Sequence, residues 1–131
     1  FGRKANILLA EDNVLNQTVA VLMLEQAGYS VEVVCNGQKA VDALKEKHFD
    51  LVLMDVQMPV MDGVTAVRKI RAMDGSRSTI PVIAVTANVV HEDPRDLMKS
   101  GMTGFLSKPF RQEELREALQ KAMSPNPAGL A

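Results

Sequence analysis

Residues 51–63 read LVLMDVQMPVMDG, and they contain a buried strand, a turn and the start of a helix. The run 51–54 is apolar at every position, which is typical of a strand covered on both faces of a parallel sheet. Pro59 interrupts the hydrophobic pattern and predicts a turn. Asp62 can cap the helix that follows, where apolar residues recur at helical spacing as far as Ile70. A buried strand that leads into an amphipathic helix is the repeating unit of an α/β fold.

The same unit recurs along the whole chain. Further apolar runs, each followed by an amphipathic stretch, lie at residues 7–10, 31–34, 81–85 and 105–106. Five strands that alternate with five helices predict a three-layer (βα)5 doubly wound parallel sheet of the flavodoxin-like class. In the first helix, Val19 belongs to an apolar stripe at helical spacing, so we expect its side chain in the core.

Length and composition are those of one folded domain. The chain has 131 residues, of which 47% are hydrophobic and 24% are charged, and its net charge is −1. A disordered chain would lack this apolar content, and a domain built to bind nucleic acid would carry a clear positive charge. The single cysteine, Cys35, excludes an internal disulfide and favours a cytoplasmic location. No apolar run approaches the roughly 18 residues that span a bilayer.

The two ends of the chain differ from its middle. Residues 124–131 are rich in proline and small residues, and the first residue is Phe1 rather than methionine. We expect one domain over residues 1–123 and a tail or linker over residues 124–131. We also expect the chain to be part of a longer protein, which could be anchored in a membrane elsewhere.

Three carboxylates fall where predicted strands end. Glu11 and Asp12 follow the first strand, and Asp55 follows the third. The carboxyl ends of parallel strands meet at one edge of a sheet, so these side chains converge if the two strands are neighbours. Oxygen ligands of this kind suit a hard cation such as Mg²⁺, which would offset their mutual repulsion. Taken singly, each of these residues is better explained as a turn residue or a helix cap, and only the three together indicate a site.

A hydroxyl group and an ammonium group are predicted at the same edge. Thr86 ends the fourth strand and Lys108 ends the fifth. Together with a metal ion, they could bind the oxygens of a phosphoryl group carried on a carboxylate. Asp55 would then be the nucleophile that forms an acyl phosphate. A second explanation of Lys108, compatible with the first, is an ion pair with Asp12 or Asp55.

Four motifs, taken in order, resemble the receiver domain of two-component response regulators, the CheY-like proteins. They are Glu11-Asp12-Asn13, the segment 53–63, Val85-Thr86-Ala87 and Leu106-Ser107-Lys108-Pro109-Phe110. The segment 53–63, with its Met-Pro and Asp-Gly pairs at fixed distances from Asp55, is the most specific of them. The resemblance extends from Asn6 to Met123 and implies the strand order 2-1-3-4-5.

By this resemblance, Asp55 accepts a phosphoryl group from a phosphohistidine on a partner protein. Asp12, Asp55 and the backbone carbonyl of Gln57 would bind Mg²⁺, with Mn²⁺ as a second candidate, and Glu11 would bind it directly or through water. Gln57 and Asn88 occupy positions that tune loss of the phosphoryl group by hydrolysis. The domain would therefore catalyse its own phosphorylation and dephosphorylation, and would turn over no metabolite.

The resemblance also implies a switch around the phosphoryl group. Lys108 would pair with that group, and a cis Lys108–Pro109 peptide would direct its side chain into the site. Thr86 would move to hydrogen-bond the phosphoryl group, and Phe105 would fill the space that Thr86 leaves. A fixed position of Phe105 in the core is the alternative.

The partner implied by the resemblance is a histidine kinase or a histidine phosphotransfer domain. Residues 11–17 are similar to those of receivers attached to hybrid sensor histidine kinases, so we expect such a parent protein. The first helix begins beside the site, where Asn16 and its apolar neighbours could contact a histidine-bearing helical bundle. The fourth helix, fifth strand and fifth helix are the usual output face of the family, and they could form a homodimer or an ordinary solvated surface.

Three other classes of protein fit the sequence less well. A receiver-like binding domain without the chemistry would have a damaged acid cluster, whereas Asp12, Asp55, Thr86 and Lys108 are all present. Haloacid-dehalogenase-like hydrolases usually have a second aspartate two residues after the nucleophile, where this chain has Gln57. A flavodoxin-type electron carrier would need a hydroxyl-rich phosphate loop after the first strand and aromatic residues to stack on the flavin.

Overall fold

Alternating strands and helices build the molecule. The computed structural model describes residues 5–87 and 94–123. Within these residues the strands are β1 (Asn6–Ala10), β2 (Ser30–Val34), β3 (Leu51–Asp55), β4 (Val82–Thr86) and β5 (Gly104–Ser107). The helices are α1 (Val14–Gln26), α2 (Gly37–Glu46), α3 (Gly63–Arg71), α4 (Pro94–Ser100) and α5 (Gln112–Met123), with a 3-10 turn at Gly75–Thr79. The proposed tail at 124–131 lies outside the described residues.

The strands form one parallel sheet in the order β2-β1-β3-β4-β5. This order and the alternation of strands and helices confirm the predicted doubly wound fold. The order places β1 beside β3, with Ala10 in register with Met54, so both strands end at the same level of one sheet edge. Among the described helices, we find none with the length and apolar content needed to cross a membrane.

Two hydrophobic layers cover the two faces of the sheet. Every residue of β3 and β4 is buried, because helices pack on both sides of these strands. On one face, Met54 packs in a cluster with Leu44 of α2 and Ile70 of α3. On the other face, Leu53 packs with Leu24 of α1 and with residues of α5. Each fully buried side chain of this size contributes about 2 kcal/mol to stability.

Helix α1 does not bury the stripe that its sequence suggested. The expectation that Val19 lies in the core is wrong, because its side chain is 49% exposed, and Leu15 and Leu22 are 71% and 56% exposed. The side chains that α1 buries are those of Ala20 and Leu24. The helix carries apolar residues on more than one face, so its periodicity could not indicate which face meets the sheet. Leu15, Val19 and Leu22 form the α1 apolar strip.

Side-chain caps fix the helices that begin at the carboxyl edge of the sheet. Asn13, Asn36 and Asp62 accept hydrogen bonds from backbone N–H groups three residues later, at 3.0, 2.8 and 2.7 Å. Such caps each contribute about 1 kcal/mol and fix where the chain turns from loop to helix. The loops that follow β1, β2 and β3 are therefore anchored at their far ends.

The opposite, amino edge of the sheet is tied together by Arg71, the last residue of α3. Its Nε and Nη2 atoms donate to the carbonyl of Gly101, at 2.9 and 2.7 Å. Its Nη1 atom donates to the carbonyls of Ser78 and Ile80, at 3.0 and 2.6 Å. One guanidinium group therefore joins the end of α3 to the segment before β4 and to the turn that follows α4.

Val60, in the loop between β3 and α3, has a strained backbone. Its φ angle is 69°, in the left-handed region that β-branched residues avoid, and its side chain is 82% exposed. The N–H of Met61 donates to the carbonyl of Pro59 at 2.7 Å, which closes a tight turn around Val60. Glycine adopts positive φ without a Cβ clash, so Val60→Gly is expected to raise the free energy of unfolding by about 1 kcal/mol. Urea denaturation at pH 7 measures this change. A fall in stability would show that the Val60 side chain makes contacts worth more than the strain.

Candidate functional site

Three carboxylates converge at the carboxyl edge of the sheet. Glu11 comes directly after β1, and Asp55 ends β3, the neighbouring strand. Oxygen atoms of Glu11, Asp12 and Asp55 all lie within 4.8 Å of one another. Glu11 and Asp55 are buried, with 4% and 6% of their surface exposed, whereas Asp12 is exposed. The cluster therefore has two carboxylates shielded from water and one that faces it.

Lys108 reaches this cluster from the loop that follows β5. Its Nζ atom lies 2.9 Å from Oε1 of Glu11 and 3.1 Å from Oδ2 of Asp55. Its backbone N–H donates to the carbonyl of Thr86 at 2.8 Å, and the Lys108–Pro109 peptide is cis. Of the two ion pairs considered from sequence, the structure has the one with Asp55, and Glu11 takes the place suggested for Asp12.

The buried carboxylates of Glu11 and Asp55 and the half-buried Lys108 perturb one another. Burial and the negative charge of Glu11 raise the pKa of Asp55 to about 6, against the opposing effect of Lys108. Burial alone would raise the pKa of Glu11, but Lys108 and the backbone N–H of Asn13 outweigh it and lower this pKa. Burial likewise works against the positive charge of Lys108, yet its bonds to Glu11 and Asp55 raise its pKa. Asp55 is thus the carboxylate whose negative charge is least well compensated.

Removing the charge of Asp55 should therefore stabilise the metal-free domain at high pH. The pKa of Asp55 is about 6 when folded and 3.8 ordinarily, so the folded state binds more protons between these values. Stability from this group is present at low pH and is lost as pH rises from about 4 to about 6. The difference between these two pKa values corresponds to about 3 kcal/mol of stability. Replacing Asp55 by asparagine also removes its charged bond to Lys108, and this loss offsets part of the gain. We expect Asp55→Asn to be about 1–2 kcal/mol more stable than wild type at pH 8.

The measurement is urea denaturation in EDTA at pH 4, 6 and 8. The advantage of Asp55→Asn should shrink towards zero or change sign at pH 4, where Asp55 is protonated in the folded state and carries no buried charge. Asp62→Asn is the control, because Asp62 is an exposed helix cap and asparagine caps equally well. An advantage that does not depend on pH would contradict the explanation from burial.

Thr86 and Phe105 lie on one face of the sheet. Thr86 is two residues after Ala84 in β4, and Ala84 is in register with Phe105 of β5. Alternate residues of a strand share a face, and so do residues in register on neighbouring strands. Thr86 is buried, whereas Phe105 is 40% exposed. The predicted switch pair is thus on a common face, with the aromatic ring partly in water rather than fixed in the core.

Of the two residues predicted to tune hydrolysis, the structure describes Gln57 but not Asn88. The backbone N–H of Gln57 donates to Oδ1 of Asp55 at 3.0 Å, and the Gln57 side chain is exposed beside the cluster. Asn88, also predicted to tune hydrolysis, lies outside the described residues. Gly63 approaches the same loop from α3, because its N–H donates to the carbonyl of Val56 at 2.9 Å.

Two features of the site were not found from sequence. The side chain of Gln17 donates from Nε2 to the backbone carbonyl of Glu11 at 2.6 Å. A groove of about 310 Å³ also runs from Leu15 and Val19 of α1 to Lys108 and Phe110. The sequence showed only that Gln17 is a polar residue in the first helical turn after the acid pair, and this does not indicate its bonding partner. The sequence suggested a contact surface around Asn16, but it did not indicate the groove, because Val19 was expected in the core.

Comparisons with known proteins agree with this geometry. The family model described as response regulator receiver domain matches residues 7–120. Hybrid signal transduction histidine kinase K of Dictyostelium discoideum is 38% identical over 89% of this chain, which is 10% of that protein. Sensor protein GacS of Pseudomonas syringae pv. syringae is 40% identical over 92% of the chain and 14% of that protein. The chain thus spans a small part of these relatives.

Solved structures give the same result. The receiver domain of a sensor histidine kinase from Pseudomonas aeruginosa, described with a magnesium ion coordinated in its active-site cleft, is 40% identical with a TM-score of 0.86. That comparison covers 92% of this chain and 98% of the other. The chemotaxis protein CheY4 of Vibrio cholerae is 30% identical with a TM-score of 0.83, over 92% and 99% of the two chains. With its sheet order, acid cluster and lysine, the chain belongs to the response regulator receiver domains of two-component signalling, a family whose general function is phosphoryl transfer.

Proposed function

We propose that Asp55 accepts a phosphoryl group from a phosphohistidine of a partner protein. The observation that carries this proposal is the position of Asp55, buried beside two other carboxylates and 3.1 Å from the Lys108 ammonium group. The phosphorylated domain either changes its own contacts or passes the phosphoryl group on to another histidine. Residues 1–123 would form this domain and residues 124–131 a tail or linker, within a cytoplasmic part of a hybrid histidine kinase.

The acid cluster fits a divalent cation. Three carboxylates, Glu11, Asp12 and Asp55, face a single ammonium group from Lys108 among the described residues, which leaves an excess of negative charge. These oxygen donors, together with the backbone carbonyl of Gln57, would hold Mg²⁺, and Mn²⁺ accepts the same ligands. When bound, Mg²⁺ would offset the charge of the carboxylates and of the incoming phosphoryl oxygens.

The transfer follows from the positions of three side chains. An Oδ atom of Asp55 attacks the phosphorus atom, the P–O bond forms as the P–N bond to histidine breaks, and the histidine keeps the electron pair. Lys108 is close enough to form an ion pair first with the Asp55 carboxylate and then with the phosphoryl oxygens. Thr86 supplies a hydroxyl donor from the neighbouring strand, and its move towards the phosphoryl group would let Phe105 turn inwards.

The α1 apolar strip supports a helical partner. Leu15 and Val19 are exposed at the border of the groove that leads to Lys108, and Asn16 also lines this groove. A histidine kinase or histidine phosphotransfer domain could cover the strip with one helix and bring its phosphohistidine to Asp55. A homodimer through α4, β5 and α5 is a further proposal, supported by the exposed side chains of Met98 and Phe105.

Intact-mass measurement after incubation with acetyl phosphate tests the proposed chemistry. Wild-type protein should gain one phosphoryl group only when Mg²⁺ is present, and Asp55→Asn should gain none. If wild type gains none, titration with beryllofluoride and Mg²⁺ decides whether the site can bind a phosphoryl analogue. Failure of both experiments would reject Asp55 as a phosphoryl acceptor.

A second variant separates partner docking from chemistry. Leu15→Lys places a charge in the α1 apolar strip without touching the acid cluster. It should react with acetyl phosphate as wild type does, but accept the phosphoryl group far more slowly from a phosphorylated histidine phosphotransfer domain. Equal rates from the protein donor would place the docking surface elsewhere.

A further inference from the structure

One side chain of α1 holds the loop that carries the acid pair. Gln17 lies in the first turn of α1, and its Nε2 atom donates to the backbone carbonyl of Glu11 at 2.6 Å. The bond is partly buried and spans six residues along the chain. It therefore connects the helix directly to the peptide that joins Glu11 to Asp12.

Other bonds hold the same segment, and each fixes a different group. The N–H of Glu11 donates to the carbonyl of Val34 in β2 at 3.0 Å. The carboxylate of Glu11 accepts from the N–H of Asn13 at 3.1 Å through Oε2. Neither bond fixes the plane of the Glu11–Asp12 peptide, which the carbonyl oxygen defines. Because a peptide group is planar, holding its carbonyl also sets the direction in which Asp12 leaves the strand.

We propose that Gln17 is a positioning residue for the divalent-cation site. It touches neither the ion nor the phosphoryl group, and it acts by fixing the peptide between Glu11 and Asp12. Without the side-chain donor, this carbonyl would bond to water and the exposed Asp12 carboxylate would sample more orientations. Cation binding would then have to order the loop, which lowers affinity. The inference rests on the proposed function, because it assumes that the cluster binds Mg²⁺.

Mg²⁺ titration of two Gln17 variants by calorimetry tests this role. Gln17→Met keeps the length of the side chain without the donor, and Gln17→Asn keeps the amide but is one methylene too short. Both should raise the Kd for Mg²⁺ by about ten-fold, which is the lower end of the effect of losing a group that orients a metal ligand. The control is Gln38→Met, because Gln38 makes a bond of 2.9 Å to Asp42 on the exposed surface of α2. Its Kd should equal that of wild type.

A second readout distinguishes positioning from general destabilisation. The ¹³C′ resonance of Glu11 should move in both Gln17 variants before Mg²⁺ is added, because its carbonyl changes hydrogen-bond partner. Denaturation curves identify a temperature at which every variant is fully folded. At that temperature, a variant that has only lost stability would keep the wild-type Kd for Mg²⁺. Wild-type affinity in either folded variant would overturn the inference while leaving the proposed function intact. A wild-type protein that binds no Mg²⁺ would overturn both.

Discussion

Replacing Lys108 by methionine is expected to lower the free energy of unfolding by about 2–4 kcal/mol at pH 8 in metal-free buffer. Methionine fills a similar volume but has no charge. Glu11 and Asp55, both nearly inaccessible to solvent, would lose the cation that lies 2.9 and 3.1 Å from them. Removing one partner of a buried pair leaves charges without compensation, and this costs more than the pair itself contributes.

The same variant should bind Mg²⁺ more tightly than wild type. A divalent cation that enters the cluster no longer has to compete with the Lys108 ammonium group for Glu11 and Asp55. The loss of stability should therefore shrink when Mg²⁺ is added, because a ligand that binds only the folded state stabilises it. The loss should also shrink as pH falls and Asp55 becomes protonated.

Urea denaturation with EDTA or with Mg²⁺ measures both effects. Lys47→Met is the matched control, because Lys47 makes an equally short ion pair, 2.8 Å from Glu32, on the exposed surface. We expect that variant to keep wild-type stability, as breaking a surface pair usually does. Weaker Mg²⁺ binding by Lys108→Met would mean that Lys108 organises the carboxylates rather than competing for them.

Replacing Gly63 by alanine is expected to cost about 2–3 kcal/mol and to disturb Asp55. A Cβ atom at Gly63 would overlap the carbonyl oxygen of Asp55 and lie 3.0 Å from the Cα atom of Val56. Both contacts are with backbone, which cannot rotate away as a side chain can. The start of α3 or the end of β3 must therefore shift, and the second of these shifts moves the proposed nucleophile.

Denaturation and the rate of phosphorylation by acetyl phosphate measure the two consequences. Gly104→Ala is the control, since a Cβ atom there would meet nothing within 4 Å. We expect Gly63→Ala to react more slowly even at a temperature where it is fully folded, and Gly104→Ala to react at the wild-type rate. A stable and fully reactive Gly63→Ala protein would show that α3 can retreat without moving Asp55.

The architecture and the acid cluster were predictable because they depend on regular geometry. Apolar runs such as 51–54 indicated a parallel sheet, and the ends of its strands brought Glu11, Asp12 and Asp55 together. The resemblance added the strand order, which local pattern does not determine. These features follow from periodicity and from the common direction of parallel strands.

The features that were missed depend on individual contacts. Val19 was expected in the core because its spacing is helical, but α1 has apolar side chains on several faces, and Ala20 and Leu24 are the residues that it buries. Gln17 was missed because a long amide can reach many partners, and its choice of the Glu11 carbonyl depends on the path of the loop. Such contacts have no period in the sequence and appear only once the backbone is placed.

The bonds of Arg71 have a consequence for how this domain can diverge. They hold the amino edge of the sheet through the backbone carbonyls of Ser78, Ile80 and Gly101, and a carbonyl is present whatever side chain those positions carry. The chemistry lies at the other edge, about five residues, or roughly 16 Å, along the strands. Mutations that adapt the acid edge to a new partner therefore leave this anchor unchanged. Mutational tolerance should be high at half-buried Ser78, limited to apolar residues at Ile80, whose side chain is in the core, and very low at Arg71.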